Sequence, residues 1–137
     1  MRRKPMEILI VDDQAGVRYL LEIIVREAGH RAHTAQNGME AVSLALSIRP
    51  QLIFMDVRMP VMGGLEALGK IKAAAPEIDV IIMTAYGSEE TVSQAMELGA
   101  MCCLAKPFDV NEIKEIILEY MWRKANSSSS SITAASM

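Results

Sequence analysis

The chain has 137 residues, enough for one domain and too few for two ordinary ones. Its 14 basic residues are scattered against 17 acids for a net charge of −3, which leaves no basic stripe to neutralise nucleic-acid phosphates. No apolar run approaches the ~20 residues of a membrane helix, and the one that follows the basic start Met1-Arg2-Arg3-Lys4 meets two acids after Val11, which argues against an export signal.

In chain order, Ile8-Leu9-Ile10-Val11 predicts a strand over about 7–11 that ends in Asp12-Asp13. A helix over about 15–28 follows, burying Val17, Leu21, Ile24, Val25 and Ala28 on one face and stopping at Gly29. The second strand, about 31–35, is flanked by His30 and His33, which read as surface or packing residues away from the acids. Asn37 is placed to cap a second helix over about 38–48, with Glu40 three residues on, and Pro50 follows its end. The third strand, about 51–55, carries Leu52-Ile53-Phe54-Met55 into Asp56, and a third helix over about 64–74 is closed by Pro76. The fourth strand, about 79–83, runs through Val80-Ile81-Ile82-Met83 into Thr84. The fourth helix, about 88–98, opens on Ser88 with Glu89 and Glu90 near its positive end and closes on Gly99. The fifth strand, about 101–105, reads as an inner strand that ends in Lys106-Pro107. Its neighbours Cys102 and Cys103 are poorly placed for a bridge, and no histidine stands beside them, so they are expected to be reduced core thiols of a cytosolic protein. Asp109 with Glu112 caps a fifth helix over about 110–123 that buries Ile113, Ile116, Ile117 and Tyr120. The domain is thus expected over 6–123, and the Ser-rich 124–137 is too poor in apolar residues to repay ordering and reads as a disordered tail.

Strands alternating with helices give an α/β fold, a parallel sheet wrapped by helices. Open sheets of this kind keep their sites at the carboxyl ends of the strands. Four such ends here carry three acids, a hydroxyl and an amine: Asp12-Asp13, Asp56, Thr84 and Lys106. Any one of these alone is an ordinary turn acid, strand-end hydroxyl or surface lysine; their conjunction carries the reading. Three acids in a partly desolvated cleft cannot all stay ionised without a cation, so the set calls for a divalent metal with hard oxygen ligands.

These five residues, with Pro107 after Lys106, resemble the receiver domain of two-component response regulators over roughly Met6 to Trp122. The likeness is strongest to the sporulation phosphorelay type, stage 0 sporulation protein F, in the stretches Ile8 to Gln14, Val80 to Gly87, Glu97 to Ala100 and Ala105 to Asp109. The resemblance implies a flavodoxin-like (CheY-like) five-stranded parallel sheet with five surrounding helices. It implies a cytoplasmic monomer that accepts a phosphoryl group from a sensor histidine kinase on Asp56 and relays it to a histidine phosphotransfer protein. By the family's pattern Asp13 and Asp56 ligate Mg²⁺ (or Mn²⁺) directly, Asp12 acts through a water, and the Arg58 carbonyl adds an oxygen. Lys106 pairs with one phosphoryl oxygen and the Thr84 hydroxyl with another, so that Asp56, Thr84 and Lys106 carry the chemistry. Arg58 and Tyr86 stand where the family admits or excludes the hydrolytic water, and the Lys106-Pro107 bond is commonly cis.

Two positions depart from that pattern. Gly63 stands where the family usually has Asp, so the third helix lacks a capping side chain, and Cys103 replaces a switching aromatic. The second departure weighs against the alternative of a chemotaxis-type receiver that binds an effector directly. A phosphohydrolase of the haloacid dehalogenase type also combines Asp, Thr, Lys and Mg²⁺, but its nucleophile stands two residues before another Asp on the first strand, whereas Asp12 and Asp13 are adjacent. Helix phase places Gly16, Leu20 and Ile23 on an outward shoulder of the first helix, a candidate partner patch with Gln14, Pro107 and Phe108 at its borders.

Overall fold

A computed structural model describes residues 4–85 and 87–135, with side chains as far as 125. The elements run β1 (Glu7–Val11), α1 (Ala15–Glu27), β2 (Arg31–Ala35), α2 (Gly38–Ile48), β3 (Leu52–Asp56), α3 (Gly64–Ala74), β4 (Asp79–Thr84), α4 (Glu89–Glu97), β5 (Cys102–Ala105) and α5 (Val110–Ala135). All pairings are parallel, in the order β2-β1-β3-β4-β5, as the flavodoxin-like expectation requires.

The continuous apolar runs of β1, β3 and β4 become the three inner strands because both of their faces are covered. One face carries Leu9, Val11, Ile53, Met55, Val80 and Ile82 against Ala41 and Ala45 of α2, Leu68 and Ile71 of α3 and Ala95 of α4. The other carries Ile8, Ile10, Phe54, Ile81 and Met83 against Leu21 and Ile24 of α1 and Ile113 and Ile117 of α5. Each fully buried side chain of this size contributes about 1.5–3 kcal/mol, so a register slip that turned either set outward would be prohibitive. The observed register pairs Val11 with Met55, Met55 with Ile82 and Ile82 with Cys103. Asp12, Asp56, Thr84 and Lys106 therefore emerge at one edge of the sheet.

Helix starts follow the capping signals. Asn37 accepts from the Glu40 amide at 2.9 Å and Ser88 from the Thr91 amide at 3.1 Å. Asp109 accepts from the Asn111 amide at 3.2 Å, while Glu112 reaches back to the Asp109 amide at 3.4 Å.

Three expectations need correction. Strand β5 is an edge strand rather than an inner one, because each crossover from β3 onward adds its strand outward; Cys102 and Cys103 are accordingly free and only half-buried. Ala28 is exposed, since α1 ends at Glu27 and the chain turns away at Gly29, whose φ is +91°. Helix α5 runs to Ala135 instead of ending near 123. No proline or glycine stands between 110 and 135 to stop it, and serine disfavours a helix interior by only about half a kcal/mol.

At the opposite edge of the sheet, the Tyr120 hydroxyl of α5 lies 2.9 Å from the Gln51 carbonyl and 2.7 Å from Asp79 Oδ2. Burial, then the Asp79 carboxylate, pushes the phenol well above its ordinary pKa and keeps it a donor. His30 is buried beside β1 and accepts the Met6 amide through Nδ1 at 3.0 Å, while His33 pairs with Glu7 at 2.7 Å. Both lie away from the strand ends that carry Asp12, Asp13 and Asp56.

Candidate functional site

Asp12 is the most enclosed of the acids, with no solvent exposure. Its amide donates to the Ala35 carbonyl at 3.2 Å, and Oδ1 accepts from the Gln14 amide at 2.9 Å, an Asx turn that swings the chain from β1 into α1. The Arg18 guanidinium donates to the Asp12 carbonyl at 2.7 Å. Asp13, next in the chain, points to solvent. Asp56 closes β3, and beyond it the Val57 amide continues the ladder to Met83 at 3.1 Å. Thr84 closes β4 and is buried, and its carbonyl accepts from the Lys106 amide at 2.9 Å. The Lys106-Pro107 peptide is cis.

Lys106 ties the strand ends together. Its ammonium stands 2.6 Å from Asp12 Oδ2, 3.2 Å from Asp56 Oδ1 and 3.5 Å from Gln14 Oε1. Burial works to discharge this lysine, but the bond and charge of Asp12, then those of Asp56, outweigh it and hold the ammonium above its ordinary pKa. The Asp56 carboxyl is pushed upward, first by burial and then by the Asp12 charge, with Lys106 opposing and Asp13 adding a smaller push. Three carboxylates thus gather around the one lysine of the site.

The residues fit a hard divalent cation. One carboxylate oxygen from each of Asp12, Asp13 and Asp56 lies within 4.8 Å of the others, a spacing and donor type suited to Mg²⁺ or Mn²⁺. Beside them opens a cavity of about 250 Å³ lined by Asp13, Gln14, Asp56, Arg58, Thr84 and Lys106. The turn from Asp56 into α3 leaves no room for a side chain at Gly64, where the helix begins. A Cβ on Gly64 would overlap the Asp56 carbonyl oxygen, and Gly63, at the cap position, makes no side-chain cap, as its departure from the family pattern implies.

All five residues read at the strand ends thus meet in one place, and Arg58 joins them. Of the candidate partner patch, Gln14, Leu20, Pro107 and Phe108 line an adjacent apolar groove of about 360 Å³ with Val17. Gly16 and Ile23 are exposed but do not line it, because the helix turns Val17 and Leu20, three residues apart, toward the cleft and leaves Gly16 and Ile23 on the outer side. Tyr86 lies outside the described residues. Arg18 escaped the sequence reading, since an arginine on the exposed side of a helix carries no sign that it caps a backbone carbonyl of the site.

The response regulator receiver domain model matches residues 8–118. The chain belongs to this receiver family. It is 41% identical over 120 residues to sporulation initiation phosphotransferase F of Bacillus subtilis (strain 168), covering 88% of this chain and 97% of that protein. It is 35% identical to chemotaxis protein CheY of Thermotoga maritima, with 80% and 92% covered. Regulatory protein AtoC of Escherichia coli (strain K12) is 40% identical, but the receiver spans only 24% of its length. Among solved structures, a CheY-like receiver domain protein from Methanospirillum hungatei JF-1 superposes with a TM-score of 0.86 at 25% identity, covering 90% of this chain and 99% of that one. The receiver in a CheX-CheY-BeF3-Mg+2 complex from Borrelia burgdorferi gives a TM-score of 0.81 at 28% identity, with 85% and 90% covered. As a receiver, the protein is a phosphorylated component of two-component signalling, modified on an aspartate.

Proposed function

We propose that this receiver takes a phosphoryl group from a phosphohistidine of a sensor histidine kinase onto Asp56 and hands it to a histidine phosphotransfer protein. The observation that carries this reading is the placement of Lys106 and Thr84 around Asp56. Asp12 is enclosed and already bonded by the Gln14 amide and Lys106, and Asp13 stands out in solvent. Asp56, by contrast, is buried and still faces the cavity that the hydroxyl and the ammonium share.

In the transfer an Asp56 oxygen forms a bond to phosphorus as the phosphorus–nitrogen bond to the donor imidazole breaks, with its electron pair returning to the ring nitrogen. Such transfers are catalysed mainly by positioning and by neutralising charge on the equatorial oxygens. Lys106 supplies one positive charge there as a point donor, and the Thr84 hydroxyl supplies a hydrogen bond. On the family's pattern Asp13, Asp56 and the Arg58 carbonyl would hold a divalent cation directly and Asp12 would act through a water, and the bound ion would supply the remaining charge. The ion pair from Lys106 to Asp12 keeps the ammonium within reach of Asp56.

Onward transfer is supported by 41% identity along nearly the whole of a protein named as a phosphotransferase, and by the apolar groove that shares Gln14 and Lys106 with the acidic cavity. Two free thiols suit a reducing compartment, and no helix among the described residues is long and apolar enough to cross a membrane. Exposure to acetyl phosphate with Mg²⁺ is expected to add one phosphoryl equivalent to the wild type and none to Asp56→Asn. Labelling retained by that variant overturns the assignment.

A further inference from the structure

The loop that follows Asp56 is held in an unusual shape. Val61 has φ +68°, a left-handed conformation that a β-branched residue adopts only under constraint, and the Met62 amide folds back onto the Pro60 carbonyl at 2.7 Å in a three-residue turn. The base of the loop is closed by the Gly64 amide donating to the Val57 carbonyl at 2.8 Å. Its far end is held by a different element: the Gly38 amide, first in α2, donates to the Met62 carbonyl at 2.9 Å. Gly38 is buried, and a Cβ there would stand 2.5 Å from the Met62 oxygen, 2.9 Å from the Gly63 oxygen and 3.0 Å from the Met62 carbonyl carbon. All three are backbone atoms, so no side chain could rotate away to make room. Only glycine permits this approach.

We propose that Gly38 is a positioning residue of the phosphorylation site: the start of α2 clamps the β3–α3 loop and thereby sets where Arg58 stands against the acidic cavity. Between its two anchored ends the loop has few free torsions, and the strained Val61 shows that the anchors, not local preference, decide its path. Arg58 follows Asp56 by two residues and lines the cavity, so a displaced loop moves both the Arg58 side chain and the carbonyl assigned to the cation. Helix α2 holds none of the site's charged groups, yet on this reading it contributes to their geometry. The inference rests on Asp56 and its neighbours being the phosphorylation and metal site.

The test compares Mg²⁺ affinity by calorimetry in the wild type, Gly38→Ala and Ala45→Gly. Ala45 is a buried residue of the same helix that does not belong to the loop contact, so its replacement weakens α2 without pushing on the loop. Gly38→Ala is expected to bind Mg²⁺ about tenfold more weakly, the scale on which residues supporting a metal site act, and to label more slowly with acetyl phosphate. Ala45→Gly should bind as the wild type does even where its melting temperature falls as far. Equal weakening in both variants, or unchanged affinity in Gly38→Ala, overturns the clamp. Should Gly38→Ala not fold, the wild type decides the matter: Mg²⁺ titration followed by NMR should shift the Gly38 amide with the same midpoint as Asp13, and an unmoved Gly38 overturns the proposal. A wild type that binds no Mg²⁺ at the acids defeats the site assignment itself, an outcome distinct from failure of the clamp.

Discussion

His30 shows how one side chain links fold to solution conditions. Its Nδ1 accepts the Met6 amide, so the ring must be neutral at that nitrogen, and burial lowers its pKa below the ordinary 6.5. A depressed pKa in the folded state means that the unfolded chain binds the proton first as pH falls. Stability from this group is therefore complete above pH 6.5 and is lost progressively below it, down to the folded-state pKa. The melting temperature of the wild type should drop across that window. His30→Gln, which can still accept through its amide oxygen but does not titrate, should show a flatter profile; an equally steep one would place the pH sensitivity elsewhere. At this scale the sequence showed chemical type better than circumstance. Asp12, Asp56, Thr84 and Lys106 were readable because each terminates an apolar run, yet the full enclosure of Asp12 and its close pairing with Lys106 depend on residues 94 positions apart. The support from Arg18 and the clamp at Gly38 were invisible for the same reason: both are contacts to backbone that only the assembled fold brings near.

Among the elements, α1 faces two ways. Leu21, Ile24 and Val25 fill the core, while Val17 and Leu20 turn toward Pro107 and Phe108 and form a groove that opens beside the acids. Leu20 remains 37% exposed, which leaves apolar area for a partner to cover. Leu20→Ala should slow phosphoryl transfer from a cognate kinase by about tenfold, the cost of truncating a moderate contact residue, and leave labelling by acetyl phosphate intact, because only the kinase needs the groove. If both routes slow and the melting temperature falls, Leu20 is a core residue. Element boundaries were legible where a residue enforces them: Asn37, Ser88 and Asp109 cap, and Gly29 and Gly99 adopt positive φ at helix ends. They were not legible where nothing does. Helix α5 has no stop residue after 123, so composition alone suggested an end that the backbone passes. Strand order followed from the family likeness and not from the runs themselves, and Cys102 and Cys103 were misplaced in an inner strand because lateral position depends on crossovers rather than on the run itself.

Viewed along its strands, the molecule separates chemistry from stability. The carboxyl edge of the sheet gathers acids that repel one another, a cost to the fold that Lys106 only partly offsets. The amino edge holds a compensating lock: Tyr120 bonds to Asp79 and to the Gln51 carbonyl, and Lys124 stands 3.1 Å from the same Asp79 oxygen, so that α5 is fixed across the starts of β3 and β4. From Asp79 to Thr84 the strand spans about 16 Å at 3.3 Å per residue, far enough that the lock touches no group of the site. Tyr120→Phe keeps the ring and its packing but removes a hydrogen bond to a charged partner, a loss of about 1.5–3 kcal/mol. The expected result is a melting temperature lower by several degrees, with the rate and extent of acetyl phosphate labelling at Asp56 unchanged at a temperature where both proteins are folded. A variant that melts like the wild type would show that Lys124 alone satisfies Asp79. One that labels more slowly while fully folded would show that the two edges communicate through α5, and that the separation of lock from site is false.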